Sequence, residues 1–91
     1  MVENTDYAGF VRRTLKAFVK RASDDPEALV LLKNVADEAA DALNRAIVGC
    51  SDSGYSYGEI ASRLGITRQA VQQRIERQRD LDARRDVGPD A

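Results

Sequence analysis

Residues 56–75 constrain the fold of this chain more than any other stretch, and they read SYGEIASRLGITRQAVQQRI. Ser56 and Glu59 have the spacing of a capping box, in which a hydroxyl and a carboxylate satisfy backbone amides at a helix start. Gly65 follows at a point where a residue without Cβ can take a positive φ cheaply. Thr67 can then cap a second helix through its side-chain oxygen. The pattern predicts a helix, a tight turn and another helix.

The apolar residues on both sides of this turn recur at helical spacing, so they predict a shared core. They are Ile60, Ala61, Leu64, Ile66, Ala70, Val71 and Ile75. Polar residues occupy the opposite face of the second helix. We therefore expect that polar face to be exposed to solvent.

The remainder of the chain also predicts helices, because alanine and leucine supply most of its apolar residues. Asp25 followed by Pro26 suits a helix start, and Gly54 suits a helix end. We predict an all-α fold with four helices, at about 6–22, 26–52, 57–64 and 68–83. The last three would form a tri-helical helix-turn-helix core, with the first helix packed on the long second one.

The predicted organisation is a single domain over 1–91 with three functional parts. Residues 6–52 would form a helical hairpin that could serve dimerisation, and residues 53–79 would form the helix-turn-helix part. Residues 84–91 are polar and contain a Gly-Pro pair, which is typical of a disordered tail.

The long second helix carries an apolar heptad seam, which leaves two interpretations open. The seam consists of Leu29, Leu32, Ala36, Ala39, Leu43, Ala46 and Cys50. It could hold the other helices of the same chain, or it could pair with a second copy. A helix of this length spans about 40 Å, more than the two short motif helices can cover, so we favour the homodimer. We expect Cys50 to be a small buried apolar residue.

Composition excludes several kinds of function. The chain has no histidine and a single cysteine, so we expect no metal site, no cofactor and no internal disulfide. No catalytic set of side chains is visible, so we expect that the protein is not an enzyme. No export signal or membrane span is visible either, and we expect a cytoplasmic protein.

The net charge of −1 conceals an uneven distribution of charge. Residues 55–79 carry five arginines against two acids, whereas residues 24–52 carry seven acids against two bases. The basic residues therefore coincide with the helix-turn-helix pattern, as expected of a surface that binds nucleic acid.

The stretch GITRQAVQQRI resembles the recognition helices of small bacterial and phage helix-turn-helix regulators and of sigma factor region 4. The wider stretch GYSYGEIASRLGITRQAVQQR is similar to small helical proteins of actinobacteria and their phages. The matching residues are Ala61, Gly65, Ile66 and Val71. Arg74 departs from the pattern, because that helix face often carries an apolar residue. The resemblance covers about residues 54–77 and implies a helix-turn-helix that binds double-stranded DNA.

On that geometry the recognition helix, 68–79, enters the major groove with its first residues on the base edges. The candidate base readers are Arg68, Gln69, Gln72 and Gln73. The candidate phosphate contacts are Thr67, Ser56, Tyr57, Arg63, Arg74 and Arg77. We expect a sequence-specific transcriptional regulator that binds a two-fold symmetric site as a homodimer.

Two alternatives remain open at this stage. The protein could be an architectural, recombination or segregation accessory protein that also binds DNA. It could instead be a protein-interaction module that binds the transcription machinery.

Overall fold

The computed structural model describes residues 3–86, and the secondary structure of this part is entirely helical. The helices are α1 (Asn4–Ala22), α2 (Pro26–Asp52), α3 (Tyr57–Leu64) and α4 (Arg68–Asp86). The all-α prediction with four helices is confirmed. The bounds of α2 and α3 agree with the prediction, whereas α1 begins two residues earlier and α4 ends three residues later.

The ends of α2 follow from local side-chain chemistry. At its start the Asp25 carboxylate accepts a hydrogen bond from the backbone N–H of Glu27 at 3.0 Å, which satisfies an amide that the helix leaves free. At its end Gly54 takes a φ of 104°, and the N–H of Tyr55 donates back to the carbonyl of Cys50 at 3.2 Å. This positive φ is what allows the chain to leave the helix sharply.

The C-terminal end of α4 differs from the prediction of a disordered tail from residue 84. Arg84 and Arg85 continue the helix, and an ion pair joins Arg84 to Asp80 at 3.2 Å. Basic side chains at a helix C-terminus interact favourably with the helix dipole, which favours this extra turn. The rest of the predicted tail, 87–91, lies outside the described residues.

The chain divides into two compact units, Met1–Ala39 and Ala40–Ala91. The boundary falls inside α2, so the last turns of this helix belong to the same unit as α3 and α4. Each unit has its own pattern of burial.

In the first unit, most of the burial lies beside the connection between α1 and α2, although Ala8 and Gly9 of α1 are also partly buried. Ala22 is buried, and Phe18, Ala28 and Leu32 are partly buried. The rest of the apolar surface of α1 is open, with Phe10 61% exposed. The predicted packing of α1 along α2 is therefore not what the structure shows. Most of the side chains that lose exposure to solvent in these two helices lie near their three-residue connection.

The second unit has a small apolar core drawn from three helices. Its buried members are Ile47 from α2, Ile60 and Ala61 from α3, and Val71 and Ile75 from α4, with Val48 and Ile66 packed against them. Val71 and Ile75 are the most completely enclosed. The predicted motif core is thus largely present, and it is α2 that closes it.

Two burial predictions need correction in this unit. Leu64, the last residue of α3, is 42% exposed. Cys50 is exposed rather than buried. Within α2 it is Ile47 that is buried, whereas no member of the heptad seam is. The short helix α3 and the neighbouring part of α4 can cover only one stripe of α2. The stripe that they cover contains Ile47.

Candidate nucleic-acid interface

The start of α3 has the capping box that the sequence predicts. The Ser56 hydroxyl accepts a hydrogen bond from the backbone N–H of Glu59 at 3.0 Å. The Glu59 carboxylate accepts from the backbone N–H of Ser56 at 3.2 Å. Two amides at this helix start are therefore satisfied reciprocally, which holds the first turn of α3 in place.

The turn between α3 and α4 is built as predicted. Gly65 has φ 69° and ψ 31°, in the left-handed region, and its N–H donates to the carbonyl of Ala61. The N–H of Ile66 donates to the same carbonyl at 3.1 Å. Thr67 then caps α4, since its side-chain oxygen accepts from the N–H of Ala70 at 3.0 Å. These bonds fix the direction in which α4 leaves α3.

One face of α4 is exposed along its first two turns, opposite the buried side chains. Four residues of this face were predicted to read bases, and all are exposed: Arg68, Gln69, Gln72 and Gln73. Steps of 100° per residue add Glu76 to the same face. The Gln72 side-chain amide donates to the Glu76 carboxylate at 3.0 Å. The structure thus adds an acidic residue that sequence reasoning did not include, although its spacing from Gln72 could have revealed it.

Arg68 does not extend away from the protein but lies against α3. A Cβ atom placed on Gly58 would be 3.0 Å from Nε of Arg68 and 3.2 Å from its Nη2. The surrounding surface is an open polar cleft of about 430 Å³, lined by Ser56, Gly58, Glu59, Ser62, Arg63 and Arg68. Sequence reasoning missed Gly58, because nothing in the spacing of the motif connects it to Arg68.

Two other arginines of α4 bind to α2 within the second unit. Arg74 donates from Nη1 to the Asn44 side-chain oxygen at 3.1 Å. Arg79 forms a hydrogen-bonded ion pair with Asp52 at 2.9 Å. Arg74 was predicted to contact phosphate, and the structure instead gives it a partner on a neighbouring helix. Both contacts are exposed, so they position α4 more than they stabilise it.

Three of the remaining predicted phosphate contacts lie at helix starts, and two do not. Ser56 and Thr67 are the N-caps of α3 and α4, and Tyr57 is the first residue of α3. Arg63 lines the polar cleft, and Arg77 lies exposed farther along α4. Within residues 3–86, Arg63, Arg68 and Arg77 form no ion pair shorter than 4 Å. These three guanidinium groups are therefore cations near the helix-turn-helix that the second unit can offer to an anionic partner.

Residues 3–86 contain no cluster of three metal-ligating side chains. Among the described helices, none combines the length and the apolar character needed to cross a membrane.

Residues 44–80 match the family model described as sigma-70, region 4. The matched segment covers the last turns of α2, all of α3 and α4 as far as Asp80, which is the part that carries the core, the turn and the exposed polar face. No curated protein and no solved structure matches the chain. The matched segment is less than half of the chain, and it resembles a helix-turn-helix DNA-binding domain. This resemblance supports DNA binding and a role related to transcription.

Proposed function

We propose that this protein is a sequence-specific DNA-binding regulator of transcription that inserts α4 into the major groove. The observation that carries the proposal is the capped and turned α3–α4 pair, which presents one polar face of α4 opposite a closed core. A face held rigidly by its own core loses little conformational entropy on binding, so its side chains are suited to reading bases.

The base readers that we propose are glutamines near the start of α4. Gln69 and Gln73 are exposed, and a glutamine amide can pair with both N6 and N7 of adenine. Gln72 donates one hydrogen bond to Glu76, so the orientation of its amide is set before DNA binds. Glu76 itself offers acceptors to the N4 amino group of cytosine. Arg68 lies beside these residues, at the first position of α4.

The phosphate contacts that we propose surround this face. Ser56, Tyr57 and Thr67 lie at the starts of the two helices, where backbone amides and the helix dipole favour an anion. Arg63 and Arg77 add positive charge. Such contacts position a protein on DNA without reading its sequence. We assign Arg74 to bracing α4 against α2, because its guanidinium is already bound to Asn44.

We further propose that the functional species is a homodimer held by the apolar surfaces of α1 and α2. In the first unit, Phe10, Leu29 and Leu31 are all more than half exposed. In the second unit, an apolar groove of about 340 Å³ is lined partly by the heptad seam, at Leu43, Ala46 and Cys50. Exposed apolar surface of this kind favours an interaction with a partner.

Charge favours a second copy of the chain as the occupant of these surfaces. Residues 6–22 carry five bases against one acid, and residues 24–52 carry an excess of five acids. Two copies of the chain can therefore bring the basic helix of one copy beside the acidic helix of the other. Attraction between these opposite charges favours a homodimer. Two copies would present two recognition helices to a two-fold symmetric site, with half-sites about 34 Å apart.

Selection of bound duplexes from a random DNA pool tests the proposal, with the oligomeric state measured by sedimentation. We expect a palindromic consensus and a dimer. A protein that binds all duplexes equally would contradict sequence-specific regulation. Strong bending of the selected DNA would favour the architectural function, and capture of RNA polymerase without DNA would favour the interaction module.

A further inference from the structure

The contact between Arg68 and Gly58 is not required by a helix-turn-helix, yet it fixes the direction of a cationic side chain at the interface. The guanidinium lies so close to Gly58 that an added Cβ would be 3.0 Å from Nε, 3.2 Å from Nη2 and 3.4 Å from Cζ. A methyl group at that place would press on three atoms of the same planar group. An alanine at this position would therefore require the guanidinium to shift by a few tenths of an ångström.

The backbone gives no other reason for glycine at this position. Among the described residues, a positive φ occurs at Gly54 and Gly65 but not at Gly58. Gly58 lies in the first turn of α3, where alanine would be accepted by the backbone and would favour the helix more. Glycine costs some helix stability here, and it lets the Arg68 guanidinium approach the backbone of α3 this closely.

The position of Arg68 determines which part of the DNA it can contact. Its guanidinium lies in the polar cleft beside Arg63 and the hydroxyls of Ser56 and Ser62. The one carboxylate there, that of Glu59, is occupied by the N–H of Ser56. Guanidinium and hydroxyl donors together are the groups that bind phosphate oxygens. The cleft also flanks α3, and the first helix of such a motif crosses the DNA backbone, not the floor of the groove.

We propose that Gly58 is a positioning residue that directs Arg68 to a backbone phosphate and away from the base edges. The proposal rests on the DNA binding proposed above and refines it, because it removes Arg68 from the base-reading set. Sequence reading would then depend on Gln69, Gln72, Gln73 and Glu76.

The test compares Gly58→Ala, Arg68→Ala and the double variant with the wild-type protein. The probes are the duplex selected by the wild type and a scrambled duplex of equal length, titrated over a range of salt concentrations. Arg68→Ala should weaken binding to both duplexes by a similar factor, and lower the salt slope by about 0.9, the value of one lost phosphate contact. Gly58→Ala should weaken both duplexes by about two- to tenfold, the equivalent of one hydrogen bond. The double variant should bind no more weakly than Arg68→Ala.

Gly49→Ala is the matched control, because Gly49 also lies inside a helix and a Cβ there meets nothing within 4 Å. Both glycine variants should unfold at the same or a higher temperature than the wild type. Only Gly58→Ala should lose DNA affinity, a separation of stability from binding that a purely structural role for Gly58 would not produce.

Three results would overturn the inference. The first is that Gly58→Ala binds DNA like the wild type. The second is that adding Gly58→Ala to Arg68→Ala lowers the DNA affinity by the same factor as Gly58→Ala does in the wild type. Alternatively, Arg68→Ala could change the preference between the two duplexes, which would make Arg68 a base reader. This last readout does not require Gly58→Ala to fold. If the wild type itself showed no preference for the selected duplex, the proposed function would fail instead.

Discussion

At the scale of single residues, Gln69 and Arg77 of α4 should separate sequence reading from general affinity. Gln69→Ala should relax the preference at one position of the site, because a bidentate amide–adenine pair contributes about 1–3 kcal/mol of discrimination. Arg77→Ala should weaken binding to every sequence and lower the salt slope by about 0.9. Binding assays with single-base variants of the selected duplex measure both effects. Identical behaviour of the two variants would contradict this division of roles.

Glycine substitutions at this scale should act with opposite signs on stability. Gly65 has a φ of 69°, and an alanine forced into the left-handed region costs about 1–2 kcal/mol. Gly49 lies inside α2 with free space around it, so Gly49→Ala should raise the unfolding free energy by about 0.4–1 kcal/mol. Urea denaturation of the two variants measures this difference. Equal shifts would show that the turn does not depend on glycine.

At the scale of helices, the start of α3 combines a structural role with a proposed binding role, and one substitution can separate them. Ser56→Asp keeps an acceptor for the N–H of Glu59, so the cap and the stability should persist. Its negative charge should nonetheless weaken DNA binding, because it would face a phosphate. Ser56→Ala is the control, and it should lose about 1 kcal/mol of stability. Undiminished DNA affinity in Ser56→Asp would remove Ser56 from the phosphate contacts.

The helices also show where sequence patterns predict structure well. The bounds of α2 and α3 and the caps at Asp25, Ser56 and Thr67 were predictable, because each depends on residues within three or four positions of one another. The end of α4 was placed too early because the polar run at 84–86 was interpreted as a tail, although Arg84 lies four positions from Asp80 and can pair with it along a helix. The partner of Arg74 was unpredictable, since Asn44 is thirty positions away.

At the scale of the whole molecule, the exposed apolar residues of the first unit should control oligomeric state. The paired substitution Leu29→Lys and Leu31→Lys should turn the dimer into a monomer, because these side chains are 55% and 58% exposed in a single chain. The core of the second unit lies elsewhere and should stay folded. Sedimentation measures the mass and circular dichroism measures the fold.

Arg45→Ala provides the control for this experiment, since it removes an exposed polar residue of the same helix. It should leave the dimer intact. A doubly substituted chain that remained dimeric would contradict the assignment of the dimer to α1 and α2. A wild-type chain that was monomeric would contradict the homodimer itself.

The sequence alone determined the four helices, the turn at Gly65 and the polar face of α4, because backbone capping and helical periodicity act over a few residues. Only the tertiary structure decided which apolar stripe of α2 closes the core. Either Ile47 or the heptad seam could have packed against α3 and α4, and it is Ile47 that does. It alone also showed that α1 leaves its apolar side chains exposed, and that Arg68 rests on Gly58. These features depend on contacts between side chains that are distant in the sequence, or on surface left uncovered, and no local pattern encodes either.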